Sequence, residues 1–166
     1  MKPGIRIIGI DDAPFKRGNK KVAIIGVVMR YNKIEDVLRS EVSVDGDDST
    51  DSIIEMLCKK YESQGKLIMI HSITVGGLNI VDIDKVSSRL RCPVVCITRN
   101  KVNGDELKRL LARKHPSRVG LVKDMEKIDK YFVCYSGISH NEVKAIVKEI
   151  GDTPVQTAHL IARVAV

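Results

Sequence analysis

Ile5-Arg6-Ile7-Ile8-Gly9-Ile10-Asp11-Asp12-Ala13-Pro14 begins as a strand apolar enough to be covered on both faces and ends on two adjacent carboxylates. Side chains alternate along a strand, so Asp11 shares a face with Ile5, Ile7 and Gly9, and Asp12 shares the other with Arg6, Ile8 and Ile10. Acids at the end of a buried strand are costly unless a cation uses them, which makes Asp11 the first candidate metal ligand. Gly9 carries no side chain on the Asp11 face, and on sequence grounds this opens room for an ion or a phosphate beside the sheet. Asp-Asp-Ala-Pro also reads simply as a turn that ends the strand.

Working outward, apolar period and turn residues predict strands over 5–10, 21–30 and 35–44, the last two joined through Tyr31-Asn32-Lys33 as part of an antiparallel meander. Ser49 or Thr50 is placed to cap a helix whose stripe is Ile53, Ile54, Leu57, Cys58 and Tyr61. Strands are expected at 67–73, 94–98 and 131–135. Helices are expected at 81–90, 103–114, 139–150 and 155–164. Three antiparallel strands followed by alternating helices and parallel strands describe an α/β mixed sheet with helices on both faces. No repeat, linker or low-complexity stretch interrupts the series, so residues 1–166 are expected to form a single domain.

Hydrophobic residues make up 43% of the chain and charged residues 30%, with no apolar run of membrane-spanning length and no basic-then-apolar leader. These features predict a soluble cytoplasmic protein with no membrane partner. Cys58, Cys92, Cys96 and Cys134 sit mostly among apolar neighbours and lack the paired spacing of a zinc ribbon, so they read as buried thiols. The formal charge of +7 favours a polyanionic partner, nucleic acid first. The densest basic run is Lys16-Arg17-Gly18-Asn19-Lys20-Lys21, in the loop after the first strand, where it can hold a phosphate backbone near the Asp pair. Aromatic residues are few and Trp is absent, which argues against an extended stacking platform for single strands.

Three further segments can bring chemistry to the strand ends. In Val44-Asp45-Gly46-Asp47-Asp48-Ser49-Thr50-Asp51, four acids surround a helix start, more than capping needs. Its match to a calcium loop is poor, because the glycine and the closing glutamate are misplaced. His71-Ser72 ends a strand and leads to the Gly76-Gly77 turn. His159 stands alone in Ala158-His159-Leu160-Ile161-Ala162, where a histidine is often no more than a hydrogen-bonded core residue.

In this order the segments resemble the archaeal endonuclease V-like family that includes deoxyuridine endonucleases, built on the ribonuclease H-like fold. The anchors are Gly9-Ile10-Asp11-Asp12-Ala13-Pro14-Phe15, Val44-Asp45-Gly46 with Asp48 and Thr50, Gly77 through Ile83, Gly137-Ile138-Ser139, and Pro154 with 158–162. The resemblance implies that Asp11 is the first-strand catalytic acid, that Asp48 or Asp45 is the acid at the following helix, and that His159 is the active-site histidine. Two departures stand out. The family's Asp-Gly after the central strand is His71-Ser72 here, and the family's Pro-Glu-Pro and following Arg appear as Asp152-Thr153-Pro154 and Gln156.

The expected activity is therefore metal-dependent hydrolysis of a DNA phosphodiester, at deaminated bases such as uracil by analogy with the family, with RNA as the second candidate substrate. Asp11, Asp45 and Asp48 are the expected metal ligands for Mg²⁺ or Mn²⁺, with His71 and His159 completing the catalytic set beside Asp11 and Asp48. Lys16, Arg17, Lys20, Lys21, Gly76 and Gly77 are the expected nucleic-acid contacts. Imidazole suits Mn²⁺ better than Mg²⁺. The rival expectation, from the His71 substitution and the depleted C-terminal motif, is a nucleic-acid-binding protein that kept the fold and lost turnover. A nucleotide phosphohydrolase is a third reading, weakened by the lack of a Gly-rich phosphate loop.

Overall fold

The computed structural model describes residues 5–62 and 66–165. β1 (Arg6–Asp12), β2 (Lys21–Arg30) and β3 (Lys33–Ser43) form the antiparallel meander, and α1 (Ser49–Tyr61) leads back to β4 (Lys66–Ile70). A two-stranded hairpin, β5 (Thr74–Val75) and β6 (Asn79–Ile80), precedes α2 (Ile83–Leu90) and β7 (Val94–Thr98). α3 (Gly104–Lys114) and a 3₁₀ turn (Pro116–Leu121) fill the next connection. β8 (Glu126–Ile128), β9 (Tyr131–Ser136), α4 (His140–Ile150) and α5 (Thr153–Ala162) complete the described chain.

The main sheet has seven strands in the order β3-β2-β1-β4-β7-β9-β8, with β1, β4 and β7 parallel. The expected run of parallel strands stops at β7, because β9 pairs with it antiparallel. The physical reason is the route of the chain. Residues 99–130 leave the carboxyl end of β7 and return to the same edge, where Phe132 stands opposite Thr98, without crossing back to the amino edge. The short β5–β6 hairpin also replaces the end of the strand expected over 67–73.

Parity along β1 sorts the helices. A Cβ on Gly9 would overlap the Pro154 carbonyl of α5, whereas one on Gly26, whose partner is Ile10, would lie 3.1 Å from Met56 of α1. α5 and α1 therefore cover opposite faces. Val143, Ile146 and Val147 of α4 pack with Ile7, Met69, Val95 and Ile97 on the α5 face, while Val86 and Leu90 of α2 join Ile8, Ile70 and Val94 on the other. Caps explain two helix starts. The Asp82 side chain accepts from Lys85 N, and Ser139 with Glu142 forms a complete capping box. Cys92, Cys96 and Cys134 are buried, Cys58 is half-buried, and all four are free thiols. No helix among the described residues is long and apolar enough to cross a membrane.

Candidate metal centre

β1 and β4 are in parallel register with Ile10 opposite Ile70, and the ladder runs one bond further as His71 N–H donates to the Ile10 carbonyl at 3.0 Å. The ends of these strands place Asp11 and His71 side by side on the face covered by α5, and α5 brings His159 to the same point. Asp11 is buried, 2% exposed, and bridges the two imidazoles: His71 Nδ1 is 3.1 Å from Oδ1 and His159 Nδ1 is 2.8 Å from Oδ2. The rings meet edge-on with centroids 6.1 Å apart. Both imidazoles reach solvent, with side chains 32% and 41% exposed, so the group is open to an ion from outside.

One donor atom from each of Asp11, His71 and His159 lies within 4.8 Å of the others, the one such group of three among the described residues. These separations suit an ion. Ligands about 2.1 Å from a metal and at right angles to one another sit about 3.0 Å apart, which the 2.8 and 3.1 Å contacts bracket. A carboxylate with two imidazoles favours Mn²⁺, Fe²⁺ or Zn²⁺ over Mg²⁺, which prefers oxygen ligands. The hydrogen bond to Asp11 raises the His71 pKa against the opposing effect of burial, helped by the charges of Asp11, Asp12 and Asp152. An ion must displace that proton, so affinity rises with pH.

Asp12 points to the other face and does different work. Its Oδ2 accepts from Gly76 N–H at 2.7 Å, tying the glycine turn to β1. Burial raises the Asp12 pKa, the Gly76 amide opposes this, and the Asp11 charge and hydrogen bond push it further up.

The structure leaves Asp45 and Asp48 outside the metal group. β2 stands between β3 and β1, so the acids that follow β3 meet the β5–β6 hairpin instead. Asp48 accepts from Ser43 N–H, from Ser43 Oγ at 2.8 Å and from Asn79 Nδ2 at 2.7 Å. Burial acts to raise its pKa, but these donors prevail and the net shift is downward. Asp48 is the N-cap residue by position, yet its side chain makes no capping bond. Ser49 Oγ instead donates to the Ile80 carbonyl, and Thr50 Oγ1 accepts from Asp82 N–H. Asp45 Oδ1 accepts from Leu78 N–H at 2.8 Å.

Two glycine readings change as well. The space beside Gly9 is taken by backbone, because Val155 N would lie 2.8 Å from a Cβ there; this glycine admits α5 rather than an ion. Gly76 is buried, with φ +61°, and is engaged by both Asp12 and Asp45, so it shapes the turn and offers no surface to a ligand; Gly77 is exposed. Residues 16–20 form an exposed turn that opens from the carboxyl end of β1, the edge that carries Asp11, and Lys21 begins β2.

Sequence reasoning missed Arg99. It follows β7, two residues beyond Ile97 and so on the α5 face, next to the strand that ends at His71. Its Nε and Nη2 donate to Asp152 at 2.7 and 3.0 Å, and Tyr131 Oη donates to the same carboxylate at 3.1 Å. Burial opposes ionisation of Asp152, but the Arg99 and Tyr131 bonds outweigh it and lower the pKa. A depressed carboxyl contributes stability above its unfolded pKa and loses it as pH falls through the folded value. Asp152→Asn is therefore expected to cost about 1–3 kcal/mol at pH 7 and to flatten the acid limb of the stability curve, checked by urea melts from pH 7 to 3. Equal slopes in variant and wild type would contradict the assignment.

The model of the endonuclease dU family matches residues 3–166. The chain belongs to the endonuclease dU family. Its relatives include UPF0215 proteins of Methanothermobacter thermautotrophicus, 34% identical over 98% of this chain and 88% of the relative, and of Methanosarcina mazei, 34% identical over 98% and 91%. A solved protein from Archaeoglobus fulgidus superposes with TM-score 0.88 at 29% identity, covering 98% of both chains. The catalytic domain of human Endonuclease V aligns over 99% of this chain and 83% of its own, with TM-score 0.62 and 10% identity. Endonuclease V of Ciona intestinalis, solved with a 24mer DNA containing an inosine, aligns over 95% and 84% with TM-score 0.56 and 10% identity. At that identity the likeness establishes the ribonuclease H-like fold of this endonuclease dU family member. The family itself is nuclease-like.

Proposed function

We propose that the protein is a divalent-metal-dependent endonuclease that cleaves DNA at deaminated bases such as uracil. The observation that carries this reading is the Asp11 carboxylate bridging His71 and His159 at hydrogen-bond distance, at the solvent-facing end of the parallel strands. Asp11, His71 and His159 are the residues that would hold the ion, with Mn²⁺ preferred to Mg²⁺ by the two imidazoles. A bound ion would supply a water of lowered pKa and offset charge on the phosphate. Until an ion displaces these contacts, Asp11 orients both rings through their Nδ1 atoms. Arg99, held by Asp152, presents its remaining N–H groups to a phosphate oxygen and takes the place of the arginine lacking at Gln156. Asp45 and Asp48 position the β5–β6 hairpin, and the exposed Gly77 sits at its tip.

The experiment is a nicking assay on duplexes carrying one uracil or one hypoxanthine, with Mn²⁺ or Mg²⁺. Nicking of the uracil duplex that is stronger in Mn²⁺ and lost with chelator supports the reading. Salt-sensitive binding without nicking under any ion favours the binding-protein alternative, which the replacement of an expected carboxylate by His71 makes a serious rival.

A further inference from the structure

Residues 99–123 carry eight lysines and arginines and only two acids, which places six of the chain's seven net positive charges in this stretch. Residues 16–21 add four more cations and no acid, so the rest of the chain is net negative. Both segments lie at one edge. The first leaves the carboxyl end of β7 and the second the carboxyl end of β1, the edge where Asp11 and His71 stand.

The 99–123 excursion is tied down at two points. Arg99 is clamped by Asp152, and Arg118 Nη1 donates to the carbonyls of Asp45 and Leu78, at 3.0 and 3.3 Å, which flank the glycine turn. Between these anchors α3 buries only Leu111 fully and turns Arg109, Arg113 and Lys114 outward. Arg109 and Arg113 are four residues apart and so share a helix face, about 6 Å apart along the axis.

A solvated helix face ordinarily neutralises its charges locally. The lysines and arginines of α1 and α2 do so: Lys59 with Glu55, Lys60 with Asp36, Lys85 with Asp51 and Arg89 with Glu62. On the excursion Lys108 and Lys123 pair with Asp124 and Asp84. Among the described residues, Lys101, Arg109, Arg113 and Lys114 have no carboxylate within ion-pair distance. The outward face also lacks the large apolar residues that insert into a lipid surface, since Leu110 alone among them is exposed, at 40%.

We infer that α3 and its flanking turns form a phosphate-binding platform for duplex nucleic acid, with Arg109, Arg113 and Lys114 as backbone contacts at the same sheet edge as the candidate centre. The platform deepens the endonuclease reading and rests on it for the identity of the polyanion. Its contacts neutralise phosphates and carry no base information, so the binding it provides is independent of sequence and sensitive to salt.

The test is fluorescence-anisotropy binding of the full chain to a 24-base-pair undamaged duplex in EDTA, at salt concentrations between 50 and 300 mM. The triple variant Arg109→Gln, Arg113→Gln, Lys114→Gln is expected to lower the slope of log K against log salt by about 2.7, roughly 0.9 for each lost phosphate contact. A control triple, Lys33→Gln, Lys59→Gln, Arg91→Gln, removes equal charge at the opposite, amino edge of the parallel strands and is expected to leave the slope within about 0.5 of wild type. A second variant, Arg109→Glu with Arg113→Glu, guards against a folding artefact, since its thermal melt is expected to match wild type while binding falls further. Equal slopes in wild type and the α3 triple overturn the inference. So does an α3-dependent affinity for phosphatidylserine vesicles with no duplex binding. The nicking assay is separate: nicking with an unchanged slope sinks the platform alone, and a reduced slope without nicking sinks the endonuclease reading alone.

Discussion

Gly9→Ala is expected to destabilise the protein by about 3 kcal/mol and to dislodge α5, because the added methyl meets main chain rather than a side chain that can swing aside. The Pro154 carbonyl and Val155 N lie directly over Gly9, and neither moves unless the helix does. For a chain of this length, 3 kcal/mol corresponds to a fall of about 6–12 °C in Tm. The effect also reaches the site, since α5 carries His159 and a shifted helix withdraws Nδ1 from its 2.8 Å contact with Asp11. Thermal melts and ion binding by the folded variant check both consequences. An unchanged Tm with intact ion binding would contradict this docking of α5.

Asp11→Asn is expected to leave the fold intact and to lower nicking by about a thousandfold or more, the scale on which losing charge stabilisation at a reacting phosphate acts. The substitution keeps the shape of a buried side chain while removing its charge. It also replaces one of two acceptor oxygens with an amide that donates, so one of the two imidazoles loses its acceptor. Asp48→Asn provides the contrast. Asp48 holds Ser43 and Asn79 rather than an ion, so its loss is expected to appear as a stability cost of about 1–2 kcal/mol, with nicking per folded molecule changed far less. Comparable catalytic losses in the two variants would return Asp48 to the metal shell.

What the sequence reveals about this molecule follows the range of its signals. β1 is recognisable from the unbroken apolar run Ile7-Ile8-Gly9-Ile10 and α4 from Ser139 at its first turn, whereas the helix expected from residue 81 starts at Ile83, behind the Asp82 cap. The direction of β9 is not, since an antiparallel return and a parallel crossover both fit a long connection containing a helix. β5 and β6 are two residues each, too short for any period to register. Asp11, His71 and His159 are separately visible as unusual residues at element ends, but their convergence depends on strand order and on where α5 docks. The same dependence misleads at Gly9, whose missing side chain reads as room for a ligand until Pro154 is seen to fill it. Asp48 misleads because an acid beside a helix start looks the same whether it faces an ion or a neighbouring hairpin. The basic platform escapes notice for a simpler reason: its cations are spaced along α3, whereas Lys16 to Lys21 form a run.

The centre itself is tested most directly by calorimetric titration of Mn²⁺ into wild-type protein and Asp11→Asn at pH 7.5. The account predicts saturable binding to wild type with proton release, and loss of that binding in Asp11→Asn. Equal affinity in the two proteins, or no Mn²⁺ binding by wild type, would contradict it.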